Sequence, residues 1–375
     1  MFRRLNKVFL VFILISSLVL LAGCGKGKGE TAAGAVELKY ATGFKIEHLA
    51  GGCKRVTDGE GRKLILVPRG QRPPSGYGNL PVVYTPVRRV VIGSTAQAAL
   101  LRPLGELGSI IGVTTEKEHW HLEAVKEGLE QGRIQLVGSG MGPLDYDRVV
   151  ALRPDLVLIY TGTPGSSETL RKLEELKVPV AVENSHLEQH PLGRMEWVKF
   201  LAAFYGKEKE AAEFFEAAAK RTAKIAREAA SAKAKPKVLW GSIYQGKVYV
   251  PAGASYAARM IEMAGGDYLF KDLAGTGSST VTLEEFYARG KNADVYISST
   301  MPNYGITSIA KIVEQGKVLK DLLPVKEGKV WCFQPWYYQS LDKTDEMIAD
   351  LAAIFHPELF PEVKIKHHLR LPASS

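Results

Sequence analysis

Short apolar runs punctuate this chain at regular intervals. Arg89–Gly93, Ile110–Val113, Ile134–Gly138, Leu156–Tyr160 and Val178–Val182 are each only a few residues long and almost wholly apolar, the pattern of strands buried on both faces. Helical spacing fills the gaps. One helix starts at Thr95 with Ser94 or Thr95 placed to cap it, another covers Tyr146–Leu152, and a third runs over Leu170–Leu176. The second half repeats this grammar. Lys237–Tyr244, Lys247–Val250, Asp294–Ser298 and Lys329–Phe333 read as strands. Ser255 caps a helix that stops at Gly265-Gly266, a short helix follows Thr282, Ser308–Gln315 is helical, and a closing helix covers Asp342–Phe355. Strands alternating with helices through short loops predict an α/β protein with two Rossmann-like lobes, each built on a central, mostly parallel sheet.

Between the halves, Lys207–Ala230 is rich in Ala, Glu and Lys and holds neither Gly nor Pro. It reads as one helix of about 25 residues, a rod of roughly 37 Å. The expected divisions are a first lobe over 88–206, the rod over 207–231, a second lobe over 232–362 and a tail over 363–375. Ahead of them, residues 36–87 alternate apolar and polar positions at Val36–Tyr40 and Phe44–Leu49, with turn chemistry at Thr57–Gly61 and a Pro/Gly loop at Arg72–Gly78. This stretch predicts a β-hairpin appendage.

The amino end carries an address. Arg3, Arg4 and Lys7 precede an apolar stretch from Val8 to Leu21, and Leu21-Ala22-Gly23-Cys24 closes it. That order marks residues 1–23 as a secretory signal. The closing tetrapeptide resembles a lipobox, which makes Cys24 the lipidated residue and 24–35 a Gly/Lys tether. The chain is expected to be exported and held at the membrane face by acyl chains. Its formal charge of +9 falls to +6 without Arg3, Arg4 and Lys7. The remaining positive charge is spread without a dense run or interleaved aromatics. That is not a nucleic-acid footprint, and a basic surface beside an anionic membrane suits it better. Cys53 and Cys332 are free to pair in an exported protein, but their spacing does not demand it, and buried thiols serve as well. No nucleophile elbow, zinc-protease helix motif or phosphate-binding loop occurs, so an enzyme is not expected.

Over Arg88–Pro361 the chain resembles class III solute-binding proteins of ABC importers. The resemblance rests on Asp147-Arg-Val-Val-Ala-Leu-Arg-Pro-Asp-Leu-Val-Leu-Ile-Tyr160, on its counterpart Val281–Ile297, on Ala264–Tyr268, and on the rod. It implies a monomer that captures an iron or cobalt chelate, a ferric siderophore first among them, and delivers it to a permease homodimer with its ATPase subunits. Cobalamin and haem are the alternatives within the family. A free zinc or manganese receptor and a sensor lipoprotein lie further off. No resident cofactor or protein-held metal is implied. Asp147 and Glu284 fall where the family places permease-docking acids, although an Asp at the first position shortens the reach by one methylene.

Ligand is expected in the crevice at the carboxyl ends of the strands. The candidate contacts are Ser94, Thr95, Trp120, Ser139, Tyr160, Tyr244, Ser278, Trp336, Tyr337 and Tyr338. Met141 lies in the same loop as Ser139. Arg194 and Arg259 could meet an anionic chelate or serve as helix-surface charges. His119 and His121 suit a metal only if a third ligand joins them, and a surface role fits them better.

Overall fold

A computed structural model of the chain describes residues 33–139 and 142–374. The signal segment, Cys24, Met141 and Ser375 lie outside the described residues. The polypeptide begins in a five-stranded sheet: β1 (Ala33–Ala35), β2 (Lys45–His48), β3 (Lys54–Thr57), β4 (Lys63–Pro68) and β5 (Val82–Thr85), in that spatial order. The first four strands are antiparallel neighbours, and β5 joins β4 in parallel. This is more than a hairpin. The reason lies in β4, where Leu64, Ile65, Leu66 and Val67 are all buried, so both faces of the sheet must be covered. Leu64 and Leu66 join Ile46, Val56 and Val83 in the core of the first lobe. Ile65 and Val67 pack with Cys53 under Tyr77 and Leu80 of the following loop.

Two buried carboxylates tie the segment between β1 and β2 to the lobe. Glu196 accepts backbone N–H groups of Lys39 at 2.9 Å, Tyr40 at 2.7 Å and Ala41 at 2.8 Å, and the Lys199 ammonium at 2.6 Å. Glu188 accepts the N–H groups of Thr42 and Gly43 and the indole N–H of Trp197, each at 2.9 Å.

In the first lobe, β6 (Val90–Ile92), β7 (Ile110–Val113), β8 (Gln135–Leu136), β9 (Leu156–Ile159) and β10 (Val180–Val182) form an all-parallel sheet in the order β10-β9-β6-β7-β8. Its helices are α1 (Thr95–Leu101), α2 (Glu123–Glu130), α3 (Tyr146–Ala151), α4 (Ser166–Glu175), α5 (Pro191–Glu196) and α6 (Val198–Tyr205). Ser94 caps α1 through a reciprocal pair with Gln97. Pro154 lies between α3 and β9, and the chain turns there through Arg153 at φ 48°.

Gly206, at φ 69°, ends α6 so that α7 (Glu208–Ala229) can leave in a new direction. At 22 residues α7 is roughly 33 Å long. Its first half buries Ala211, Phe215 and Ala218 in the first-lobe core, and its last turn buries Ala229 in the second. It therefore belongs to both lobes.

The second lobe holds β11 (Lys237–Tyr244), β12 (Lys247–Pro251), β13 (Asp267–Tyr268), β14 (Ser278–Val281), β15 (Val295–Ser298), β16 (Val330–Phe333) and β17 (His368–Arg370). The sheet order is β14-β12-β11-β15-β16-β17, with β13 beside β11. The helices are α8 (Tyr256–Met263), α9 (Leu283–Gly290), α10 (Ile309–Glu314), α11 (Leu323–Lys326) and α12 (Thr344–Phe355). The residues expected as a tail return to the sheet as β17. Asp350 holds them there, its carboxylate accepting the N–H of His367 at 2.6 Å and those of Lys366 and His368 at 3.1 and 3.2 Å. Cys53 and Cys332 are buried in separate cores. Residues 33–374 lie within one compact unit.

Candidate functional site

A cavity of about 390 Å³ opens between the lobes, where the carboxyl ends of β6, β9 and β16 meet the first turns of α5, α8 and α12. The first lobe contributes Ser94 and Thr95 from the start of α1, Tyr160 after β9, Glu183 after β10, and Arg194 from α5. The second contributes Tyr256 and Met260 from α8, Tyr337 and Tyr338 after β16, and Met347 from α12. Such a volume falls within the range of small-molecule sites.

Charge in this cavity is sparse and placed on one side. The Arg194 guanidinium lies 3.9 Å above the Tyr256 ring, and its buried Nε has no hydrogen-bond partner among the described residues. Seated over the ring, the guanidinium keeps its buried Nε–H for an acceptor. Glu183 is 2% exposed and accepts the Ser185 N–H at 2.8 Å. Burial pushes its pKa up, with the Ser185 hydrogen bonds and the Arg194 charge opposing less strongly. Burial pushes the His186 imidazole down, and Arg194 pushes the same way. His186 sits edge-on to Tyr160, ring centres 5.6 Å apart. The side walls therefore hold one fixed cation and groups driven toward neutrality.

The opposite wall is aromatic. Tyr337 stacks on Phe333 at 3.7 Å with the planes 4° apart, and meets Tyr338 edge-on at 5.5 Å. The Tyr337 hydroxyl is buried and has no partner among the described residues. It is a second polar group that a ligand acceptor could satisfy.

The sequence-based candidates divide in two. Ser94, Thr95, Tyr160, Tyr337 and Tyr338 line this cavity. The others lie elsewhere. Trp120 is 3% exposed and donates its indole N–H to the Thr115 carbonyl at 3.0 Å, so the loop folds its ring into the first-lobe core. Ser139 lies before the undescribed pair 140–141 and accepts the Gly142 N–H at its carbonyl. Tyr244 stands at the tip of the β11–β12 hairpin, and Ser278 on β14 pairs with Pro251. Trp336 is exposed and edge-on to His121 at 6.1 Å. Arg259 pairs with Glu262 at 3.1 Å on the surface of α8. Glu183 and Tyr256 went unrecognised in the sequence. Their signal was position alone, one just past a strand and the other just past a cap.

The His119–His121 loop has a different place. The Gln339 amide accepts the His121 N–H at 2.8 Å and donates to the His119 carbonyl at 2.7 Å, joining the lobes through backbone groups. Arg102 reaches across to Asp342 at 2.8 Å, and Arg221 on α7 reaches Asp345 at 2.6 Å. Among the described residues no group of three His, Cys, Asp or Glu side chains converges to hold a metal ion. Asp147 and Glu284 are both exposed in the first turns of α3 and α9, without an ion pair among the described residues.

Two α/β lobes spanned by one helix, with a cavity at their facing strand ends, define a solute-binding protein. The chain belongs to the periplasmic binding protein family, whose profile matches residues 90–331, and within it to the class III, TroA-like type. The family binds solutes and is periplasmic or exported. An uncharacterized lipoprotein of Methanocaldococcus jannaschii is 34% identical over 84% of this chain and 77% of its own length. A second lipoprotein of that organism is 27% identical over 95% and 97%. Among solved structures, the molybdate-bound periplasmic binding protein of a Haemophilus influenzae ABC transporter matches with a TM-score of 0.63 at 15% identity, over 83% of this chain and 94% of its own. A periplasmic haem-binding protein of Pseudomonas aeruginosa matches with a TM-score of 0.60 at 20% identity, over 77% and 98%. These likenesses show the fold.

Proposed function

We propose that the protein is the lipid-anchored receptor of an ABC importer, and that it captures a metal chelate between its lobes. The supporting observation is the cavity itself. It combines an aromatic wall with one guanidinium and lacks, among the described residues, a cluster of side chains able to hold a bare ion. A chelate brings its own metal ligands and offers flat apolar surface together with anionic oxygens. Rings and a stacked guanidinium suit those two features. A ferric siderophore is the first candidate, with haem and cobalamin next. Molybdate would leave most of an about 390 Å³ cavity unfilled. In this reading Cys24 carries the lipid. Asp147 and Glu284 meet arginines of a permease homodimer served by its ATPase subunits, since exposed carboxylates that lack an ion pair among the described residues make charge-assisted contacts that fix orientation.

Titration of the chain from residue 25 by intrinsic tryptophan fluorescence tests the ligand class. Ferric siderophores, haem, cobalamin, molybdate and bare divalent ions are compared, and quenching by bare ions alone would overturn the reading. For docking, Glu284→Ala should leave chelate binding intact while uptake into permease-containing vesicles falls by about 10-fold or more, the scale of a charged hydrogen bond. Unchanged uptake removes that assignment. The mass of the mature amino terminus reads the lipid on Cys24.

A further inference from the structure

Ligand capture makes no use of the pole opposite the cleft, yet positive charge is concentrated there. β4 ends at Pro68 and β5 at Thr85, side by side, and β6 and β9 begin just beyond, at Val90 and Leu156. Arg69, Arg72, Arg88, Arg89 and Arg153 all fall in these junctions, and all five are exposed. One carboxylate stands among them. Asp155 receives the Arg69 guanidinium at 2.8 Å and the N–H groups of Arg88 and Arg89 at 2.8 and 3.2 Å. It organises the cluster but balances one charge of five. The side chains of Arg72, Arg88 and Arg153 have no ion pair among the described residues. Glu106 and Glu208, at the junctions flanking this pole, are already paired with Lys207 and Lys54.

The place where the chain enters the fold adds an independent observation. Ala33 pairs with His48, His48 with Lys54, Lys54 with Leu66, and Leu66 with Val83. Four strand spacings make roughly 19 Å, so the entry point and the arginines share one end of the same sheet. If Cys24 carries lipid, residues 24–32 span at most roughly 30 Å.

We propose that this arginine pole binds the anionic lipid headgroups of the membrane to which the chain is tethered; the inference rests on the lipid-anchor reading above. Guanidinium groups make bidentate contacts with phosphate oxygens, and the patch offers three side chains free to do so. Asp147 and Glu284 stand at the other pole, beyond the carboxyl ends of the strands that carry the cleft. Headgroup binding therefore presents the open cleft outward to arriving solute. It also excludes permease docking, so delivery requires release from the headgroups.

The test is co-sedimentation of the chain from residue 25, which carries no acyl group and keeps the whole compact unit. Vesicles of phosphatidylglycerol and phosphatidylcholine are compared with pure phosphatidylcholine, at low and high salt. Binding is expected on the anionic vesicles alone, and salt should reverse it. Combining Arg72→Gln, Arg88→Gln and Arg153→Asn should weaken partition on the order of 100-fold, about fivefold per arginine. Lys220→Gln, Lys224→Gln and Arg227→Gln together, on the exposed face of α7, should change it less than about threefold. Both variants should keep the ligand titration of the parent, which excludes misfolding. Equal binding to neutral vesicles, equal loss in the two variants, or no binding to anionic vesicles overturns the proposal. An unmodified Cys24 would remove the tether reading and leave the vesicle result standing by itself.

Discussion

The two walls of the cleft are built from different chemistry. The first lobe brings Arg194, Glu183, Ser94 and His186; the second brings Tyr256, Met260, Tyr337, Tyr338 and Met347. One wall carries the charge, with Tyr160 as its ring, and the other offers apolar and aromatic surface. They touch where Arg194 lies on Tyr256, a contact that runs across the gap between lobes. A ligand that needs both walls must bridge them beside the point where cation meets ring.

The sharpest way to break this contrast is Arg194→Ala. It removes the one cation of the charged wall and should weaken binding of an anionic chelate by about 3 kcal/mol, on the order of 100-fold, in a fluorescence titration. Neutral ligands should lose far less. Next comes the lobe-to-lobe brace. Arg102→Ala leaves Asp342 buried without its partner and should cost about 2 kcal/mol in urea unfolding, reduced from the fully buried case because Arg102 is a third exposed. Tyr337→Phe keeps the stack on Phe333 and removes only the hydroxyl. It should cost about 1 kcal/mol of ligand affinity if that hydroxyl meets the ligand, and leave stability unchanged or raised.

The smallest expected effect concerns Glu183. Its pKa is raised in the folded state by burial, so the folded protein holds a proton that the unfolded chain releases. Stability from this group is therefore full below the ordinary carboxylate range and declines as pH rises through the folded value. Glu183→Gln should flatten that decline in thermal melts taken upward from the ordinary carboxylate range, and a decline of unchanged slope would show that another group titrates.

Much of the fold was legible because it rests on period and punctuation. Runs such as Leu156–Ile159 are apolar at every position, which only a doubly covered strand tolerates, and the Gly- and Pro-free rod has one regular solution. The N-terminal sheet was underestimated because β1 and β5 are short and carry no alternation strong enough to announce a partner. β17 was hidden by its polar composition. His367 and His368 are buried next to Asp350, a long-range pairing that no local pattern encodes. At the site, strand-end position located Ser94, Thr95, Tyr160 and Tyr337 but could not sort loop aromatics. Trp120 and Tyr337 look alike in sequence, and only the fold turns one ring into its own lobe and the other toward the gap. Glu183 was passed over because a carboxylate after a strand usually faces water.

The clasp formed by Glu196 and Glu188 has a mechanical corollary. Tyr40 lies 4.4 Å from His190, the residue that caps α5, and the same short helix carries Arg194. Beyond the β1–β2 ladder, any displacement of residues 39–41 loads this helix through three backbone N–H groups held by one carboxylate. The amino-terminal segment is thus geared directly to the helix that carries the cavity's guanidinium.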